Sequence, residues 1–413
     1  MEKYFKVSLF LAALILSACS TSEIPELDSN VQQTKSEIYL TVNEVNDIAQ
    51  KAYLDFFGQS ESRTSHNGVK ISDTHLYVDP TSSRAGKIDT TFYIVEFEND
   101  GFAIVAADKR LNKNVYAISN EGSFGQTPIP PVQMYLSMMA DEIKKEVEDT
   151  LSLQPWKKPV TPEIVKVYFI NGVEYYGTPV TSVKSKSPIV KTAWNQYGNG
   201  LNTLGIQYNS YCMKPETGTQ LYLAGCVSIA ISQIAAHMKK PSQLGDRTYN
   251  WNEITAYPKM YQLEEQNQDD LAYFIHQIGL LVNTDYGLDG SGATFNDAVK
   301  AFKDMGYTTN PYNGFASSSC VTSINDNRPV LLRGENSDGG HEWVCSGYRI
   351  ETTTVDLYRK DNDQFYRTIA AEDASYYMNW GWGGNQNAYY AMDASSSAKK
   401  ILFNKNVKTL IVK

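Results

Sequence analysis

The chain has 413 residues, 42% hydrophobic and 20% charged, an ordinary globular composition with length for two or three domains. A net charge of −9 argues against nucleic acid as a partner and against a membrane-surface role driven by basic patches. Aromatic residues make up 12%, mostly the 28 tyrosines, a balance that suits β-rich structure.

The N-terminus reads as an export signal. Lys3 and Lys6 form a short basic region, and Val7 to Leu16 is a mostly apolar run too short to span a bilayer. The run ends in Leu16-Ser17-Ala18-Cys19, which is similar to a bacterial lipobox and implies acylation of Cys19. The alternative is an ordinary signal peptide with Cys19 discarded. Residues 1–18 are then a lipoprotein signal peptide, and 19–37, polar and aperiodic, a flexible tether. No other apolar run is long enough for a membrane-spanning helix.

Residues 38–187 read as a small α+β unit followed by a linker. Thr41-Val42-Asn43-Glu44 has the form of a capping box, and Val45, Ile48, Ala49, Ala52 and Phe56 follow at helical spacing up to Gly58. A short strand is expected near His75-Leu76-Tyr77-Val78. Residues 92–97 and 102–106 predict a hairpin, and Val115 to Ile118 a third strand. Pro130-Pro131 opens a helix carrying Val132, Leu136, Met139, Ile143 and Val147. His66 and His75 lie in polar surroundings and carry no chemistry. Beyond one hydrophobic island at 165–170, the stretch from Pro155 is rich in Pro, Lys, Thr and Ser. Its end, Thr181 to Pro188, reads as an exposed linker open to cleavage.

Residues 188–413 differ in texture, with most of the tryptophans and glycine clusters. Val227, Ala230, Ile231, Ile234, Ala235 and Met238 form the stripe of a helix that starts after Gly225 and stops at Pro241. Further helices are expected around Leu271 to Leu281 and from Asn296 to Met305. Strands are expected at 330–333, 342–345, 375–380, 389–392 and 409–412. Helices first and an antiparallel sheet second is an α+β order.

The helix after Gly225 begins with Cys226. Unpaired N–H groups and the positive end of the helix dipole favour a thiolate there. A packing role is the ordinary reading of such a cysteine, so the case for a nucleophile rests on a base, an orienting group and oxyanion donors elsewhere. His237 lies on the same helix about 16 Å along the axis at 1.5 Å per residue, out of reach. His276 sits beside an apolar stripe. His341 differs: it follows Gly339-Gly340 at the start of a strand. Asn379, in Met378-Asn379-Trp380-Gly381-Trp382, would hold the imidazole, with Trp380 shielding that bond. Gln196, in Trp194-Asn195-Gln196, offers a side-chain amide to an oxyanion, beside the Cys226 backbone N–H. Cys212, Cys226, Cys320 and Cys345 are irregularly spaced and contain no CxxC, so neither a metal site nor a disulfide framework follows. A Cys212–Cys320 pair stays open, and no cofactor is expected.

The order amide donor, cysteine at a helix start, histidine, Asn-Trp is that of papain-like peptidases. Residues 194–384 resemble the streptopain family of cysteine peptidases. The resemblance is carried by Trp194-Asn195-Gln196, Gly225-Cys226-Val227, Tyr249-Asn250-Trp251-Asn252, Asp285-Tyr286-Gly287 with the loop behind it, Gly339-Gly340-His341 and Asn379-Trp380-Gly381-Trp382-Gly383-Gly384. Phe102 to Arg110 and Tyr116 to Ser119 are similar to the family's pro-region. The resemblance implies an α+β fold: a papain-like cysteine peptidase domain, helical half plus antiparallel-sheet half, at 188–413, preceded by a small inhibitory α+β pro-domain within 38–187. It implies Cys226 as nucleophile, His341 as general base, Gln196 in the oxyanion hole, and Asn379 or Trp380 as the group that orients His341. Ser291 and Gly340 match substrate-contacting positions, although the Ser291 loop is shorter than the family's. Glu342 stands where a small residue is more usual, and its charge would raise the His341 pKa. Cys345 reads as core, with a redox role towards Cys226 as its alternative.

The function expected is a cysteine endopeptidase made as a zymogen, with protein or peptide substrates and its own pro-domain as intramolecular inhibitor. Its location would be the cell envelope, with contact to the membrane only through the lipid on Cys19, and the mature domain either stays there or is released after cleavage. A non-catalytic peptide-binding or adhesin lipoprotein on the same scaffold is the competing class, and acyl transfer to an amine is a third.

Overall fold

The computed structural model describes residues 38–58, 69–77, 92–98, 100–111, 113–151, 166–170, 173–212, 216, 220–336, 339–392 and 407–413. The export signal with Cys19, the tether, His66 and the Ser337-Asp338 pair lie outside these residues.

The N-terminal unit is built as its sequence predicts. Helix α1 (Val42–Phe57) starts on a complete capping box, with the Thr41 side chain accepting from Glu44 N–H and the Glu44 carboxylate accepting from Thr41 N–H at 2.8 Å. Its Val45 and Ala49 pack on one face of a meander made of β1 (Ile71–Tyr77), β2 (Phe92–Phe97), β3 (Phe102–Ala106) and β4 (Val115–Ser119). Gly101 turns the hairpin between β2 and β3 at φ 98°, and a Cβ there would meet the Ser119 carbonyl oxygen at 2.3 Å, so only glycine fits. Helix α2 (Pro130–Leu151) covers the other face with Val132, Tyr135, Leu136 and Met139.

The expected linker is structured. Strands β5 (Lys166–Ile170) and β6 (Val173–Gly177) form a hairpin, and β7 (Pro179–Lys186) is a strand, not a free tether. Its side chains are mostly exposed on both faces, which is why composition reads as linker, yet its backbone is paired along its length.

The C-terminal part begins with α3 (Cys226–Met238), a two-stranded ribbon of β8 (Gln243–Leu244) and β9 (Arg247–Thr248), and the helices α4 (Trp251–Ile254), α5 (Glu265–Leu281) and α6 (Phe295–Asp304). Then come β10 (Thr309–Asn313), α7 (Ser317–Asn325), β11 (Val330–Asn336), β12 (Gly339–Arg359), β13 (Phe365–Asn379), β14 (Ala388–Ala391) and β15 (Val407–Val412). Strands β12 and β13 run much further than the apolar patterns that reveal them. Their distal halves, such as Glu351-Thr352-Thr353-Thr354, carry polar side chains on both faces, so no alternation marks them.

One 13-stranded sheet runs through both parts, in the order β1-β2-β3-β4-β14-β13-β12-β11-β15-β10, with β6 and β7 paired to β12 and β5 to β6. The seam is β4 against β14, where Ile118 faces Tyr389 and Ala117 faces Tyr390. The order is mixed α+β, as expected.

Helix α3 departs from a simple stripe. Every residue from Cys226 to Ala236 is buried. The sheet residues Leu331 and Val344 pack with it on one side, and Ile275 and Ile278 of α5 with Ala298 and Phe302 of α6 on the others. Ile229, Ile231 and Ile234 are fully buried, each stabilising by about 1.5–3 kcal/mol. A helix enclosed on all sides cannot slide or turn without breaking these contacts, so its first residue is fixed in space.

Candidate active site

Gly225 precedes α3 at φ 89°, a conformation that brings the chain sharply into the helix and places Cys226 at its first position. A Cβ on Gly225 would lie 3.0 Å from the Ser291 carbonyl oxygen, so the Ser291 loop packs directly against the turn. That loop is held shut by Ser291 Oγ, which accepts from Gly287 N–H at 3.0 Å, and by a bridge between Asp285 and Gly292. From the other side Ala224 N–H donates to the Gln196 carbonyl at 2.9 Å. The structure thus gathers Gln196, Cys226 and Ser291 at one place. Gln196 is buried, and among the described residues its side-chain amide has no hydrogen-bond partner, so its N–H groups are uncommitted.

His341, third in β12, lies opposite Gly334 of β11. Its ring lies among three tryptophans, with centroids 6.3 Å from Trp343, 6.4 Å from Trp380 and 6.0 Å from Trp382. Nε2 is 2.8 Å from the Trp380 carbonyl oxygen. A carbonyl only accepts, so Nε2 carries the proton, and in the neutral ring Nδ1 keeps the lone pair that a base needs. Orientation of His341 therefore comes from the backbone of Trp380. Asn379, the other candidate, is committed elsewhere. Its Nδ2 donates to the Thr192 carbonyl at 2.7 Å and to Gln233 Oε1 at 3.1 Å, and its Oδ1 accepts from Gly381 N–H at 3.2 Å. It ties the end of β13 to α3 and to the backbone at Thr192.

The site is closed, and burial favours the neutral forms of its thiol and imidazole. Cys226 and His341 are each only 7% exposed, and among the described residues they share no hydrogen bond. Burial pushes the Cys226 thiol up, against the Glu342 N–H and Arg333, which favour the thiolate. Burial likewise holds His341 down at about 4, against its bond to Trp380 and the charge of Glu342. A charged Glu342 would pull the imidazole upward, as its sequence position suggests, but desolvation of a fully enclosed ring outweighs that pull.

The remaining candidates separate cleanly. His237 Nε2 lies 3.0 Å from the Asn327 carbonyl and serves the fold. Cys345 packs in the same core as Cys320, among Trp343 and Met378, whereas Cys212 and Cys226 belong to the core around α3. All four cysteines are free, so neither the Cys212–Cys320 pair nor a Cys345–Cys226 partnership is present. Gly340 lies under Arg333, whose Nη2 would sit 2.7 Å from a Cβ there.

Three site residues went unread in the sequence. Gln233 sits two helical turns after Cys226, a polar residue inside an apolar run. Arg333 closes Val330-Leu331-Leu332. Gln386 follows the Trp-Gly-Trp-Gly-Gly motif and links the N-terminal unit to the site. Its Nε2 donates to the Phe124 carbonyl at 2.6 Å and the Thr127 carbonyl at 3.0 Å, and its Oε1 accepts from Ile129 N–H at 3.0 Å. Its own carbonyl accepts from Trp380 Nε1 at 3.1 Å. A line of hydrogen bonds runs from the loop at 124–129 through Gln386 and Trp380 to His341.

Known proteins match this description part by part. Residues 203–390 match the Peptidase C10 family and residues 30–147 the Spi protease inhibitor. The chain is 23% identical over 349 residues to streptopain of Streptococcus pyogenes serotype M28, covering 74% of each protein. It is 21% identical over 382 residues to the thiol protease/hemagglutinin PrtT of Porphyromonas gingivalis, covering 84% of this chain and 38% of that one. Its fold is similar to that of a prointerpain A fragment from Prevotella intermedia, with a TM-score of 0.50 at 17% identity over 82% of this chain and 98% of that one. Together these define a cysteine peptidase that carries an inhibitor-like segment in the same chain. The peptidase part belongs to the Peptidase C10 family, the family of streptopain.

Asn379→Ala should lower stability by about 1–3 kcal/mol, because Gln233 and the Thr192 carbonyl lose a buried partner. Urea unfolding of the full chain measures this. An unchanged midpoint with lost peptidase activity would instead put Asn379 beside the imidazole.

Proposed function

We propose that the protein is an exported cysteine endopeptidase made as a zymogen, with Cys226 as nucleophile and His341 as general base. The observation that carries this reading is the convergence at Cys226: a helix fixed on all sides presents the sulfur where the Gln196 segment and the Ser291 loop meet.

In the reaction, His341 Nδ1 takes the thiol proton and the Cys226 thiolate attacks the scissile carbonyl carbon of a peptide. The oxyanion that forms is met by the Cys226 backbone N–H and the uncommitted Gln196 amide. The imidazolium passes its proton to the leaving amine as the C–N bond breaks, which leaves a thioester on Cys226. Water, deprotonated by His341, hydrolyses the thioester and restores the thiol. The Ser291 loop and Gly340 would flank the substrate backbone.

Latency is supported by three features together: a sulfur too enclosed for a peptide to reach, a neutral imidazole, and the line of hydrogen bonds from the inhibitor-like segment to His341. The seam adds the ion pair between buried Lys113 and Asp373. Removing the segment would admit water to the site, lift His341 and lower Cys226, and so favour the thiolate–imidazolium pair. The lipobox-like Leu16-Ser17-Ala18-Cys19 supports an envelope location with the lipid on Cys19.

Cys226→Ala should abolish both casein cleavage and self-processing, read by intact mass, and Gln196→Ala should lower kcat roughly a hundred- to a thousand-fold. Cleavage retained in Cys226→Ala would remove the proposed nucleophile. For the anchor, Cys19→Ser should move the protein from the membrane fraction to the soluble fraction. An unchanged distribution would point to a signal peptide that is simply removed.

A further inference from the structure

Glu342 follows His341 on β12. It is fully buried. Oε1 accepts from Arg333 Nη1 at 3.2 Å, while Oε2 is enclosed with no hydrogen-bond partner among the described residues. Strand register explains the pairing: Arg333 on β11 lies opposite Glu342 on β12, so both side chains leave the same face of the sheet. That face also sends Leu331 and Val344 into the core around α3. The charges that act on the carboxyl are Cys226 at the head of α3, Arg333 across the ladder and His341 beside it on the same strand. Arg333 is itself anchored, donating to the Ala293 carbonyl at 3.1 Å and to Glu335 Oε2 at 3.3 Å.

One fixed cation therefore serves two buried acids, the Glu342 carboxyl and the Cys226 thiol. Arg333 lowers both, and the Cys226 charge raises Glu342; because such coupling is reciprocal, a Glu342 carboxylate opposes the thiolate in turn. We propose that Glu342 is a pH gate on the nucleophile: a positioning residue that leaves Cys226 free to ionise while its own carboxyl is neutral, and opposes the thiolate once it is charged. This rests on Cys226 as the reactive thiol.

Burial pushes Glu342 up to about 8, Cys226 adds to that rise and Arg333 opposes it. Below that value the carboxyl keeps its proton and the Arg333 charge acts on the sulfur. As pH climbs through it, the proton goes to solvent, and the new negative charge raises the thiol. Cys226 reactivity should then gain less with pH than an isolated thiol, whose thiolate rises about tenfold per unit below its pKa.

The test is the rate of iodoacetamide labelling of Cys226 in the full chain, located by peptide mass mapping, for wild type and Glu342→Gln from about pH 5 to 10. Equal rates are expected at the acid end, with the Glu342→Gln to wild-type ratio rising through about pH 8 to a plateau on the order of tenfold, one pKa unit on the thiol. Glu342→Ala should show the same rising ratio and serves if the Gln variant does not fold. A ratio independent of pH in the folded variant overturns the gate. Casein cleavage measured alongside separates this from the peptidase reading: Cys226→Ala that still cleaves contradicts the nucleophile, whatever the labelling ratio shows.

Discussion

The hydrogen bond from His341 Nε2 to the Trp380 carbonyl is the point on which the site turns. It fixes the tautomer, so that Nδ1 is the nitrogen left for a thiol proton. It also makes the imidazole answerable to whatever holds Trp380. What holds Trp380 is Asn387, whose Oδ1 accepts from its N–H at 3.1 Å, and Gln386, whose carbonyl accepts from its ring. Gln386 in turn is clasped by the backbone at 124–129. If the N-terminal segment inhibits as proposed, a link of this kind lets it govern His341 without touching the sulfur.

Electrostatics in the closed site follow from exclusion of water. A thiol and an imidazole in water would sit near their ordinary values, and a helix N-terminus would favour the thiolate further. Here desolvation dominates both and drives them toward neutrality, in opposite directions on the pH scale. In the proposed reaction, competence is therefore a matter of hydration and approach: Cys226, His341 and a Gln196 amide with no partner among the described residues are all in the closed site. Glu342 and Arg333 add a second pair of ionising groups to the same small volume.

Much of this was legible in the chain itself. The capping box at Thr41, the hairpin around Gly101, and the head of the central helix at Gly225-Cys226 are local signals, and local signals survive into the fold. The parts that escaped are those decided by partners distant in sequence. Strand β7 shows no alternation because neither face is buried; only its neighbour β12 makes it a strand. The full enclosure of α3, with Ser232 and Gln233 inside, follows from being sandwiched between sheet and helices. Asn379 looks like the orienter by position after His341, but Gln233 and Thr192, far away in sequence, claim its amide. Gln386 could not stand out, since its importance lies in reaching residues at 124–129.

The proposed latency depends on enclosure keeping the His341 imidazole of the full-length chain neutral. The direct measurement is the NMR titration of His341 in the intact chain carrying Cys226→Ser to prevent self-processing. The prediction is a ring that stays neutral through the physiological range and charges only as pH falls toward about 4. A midpoint at or above about 6.5, the ordinary value for an exposed imidazole, would contradict it.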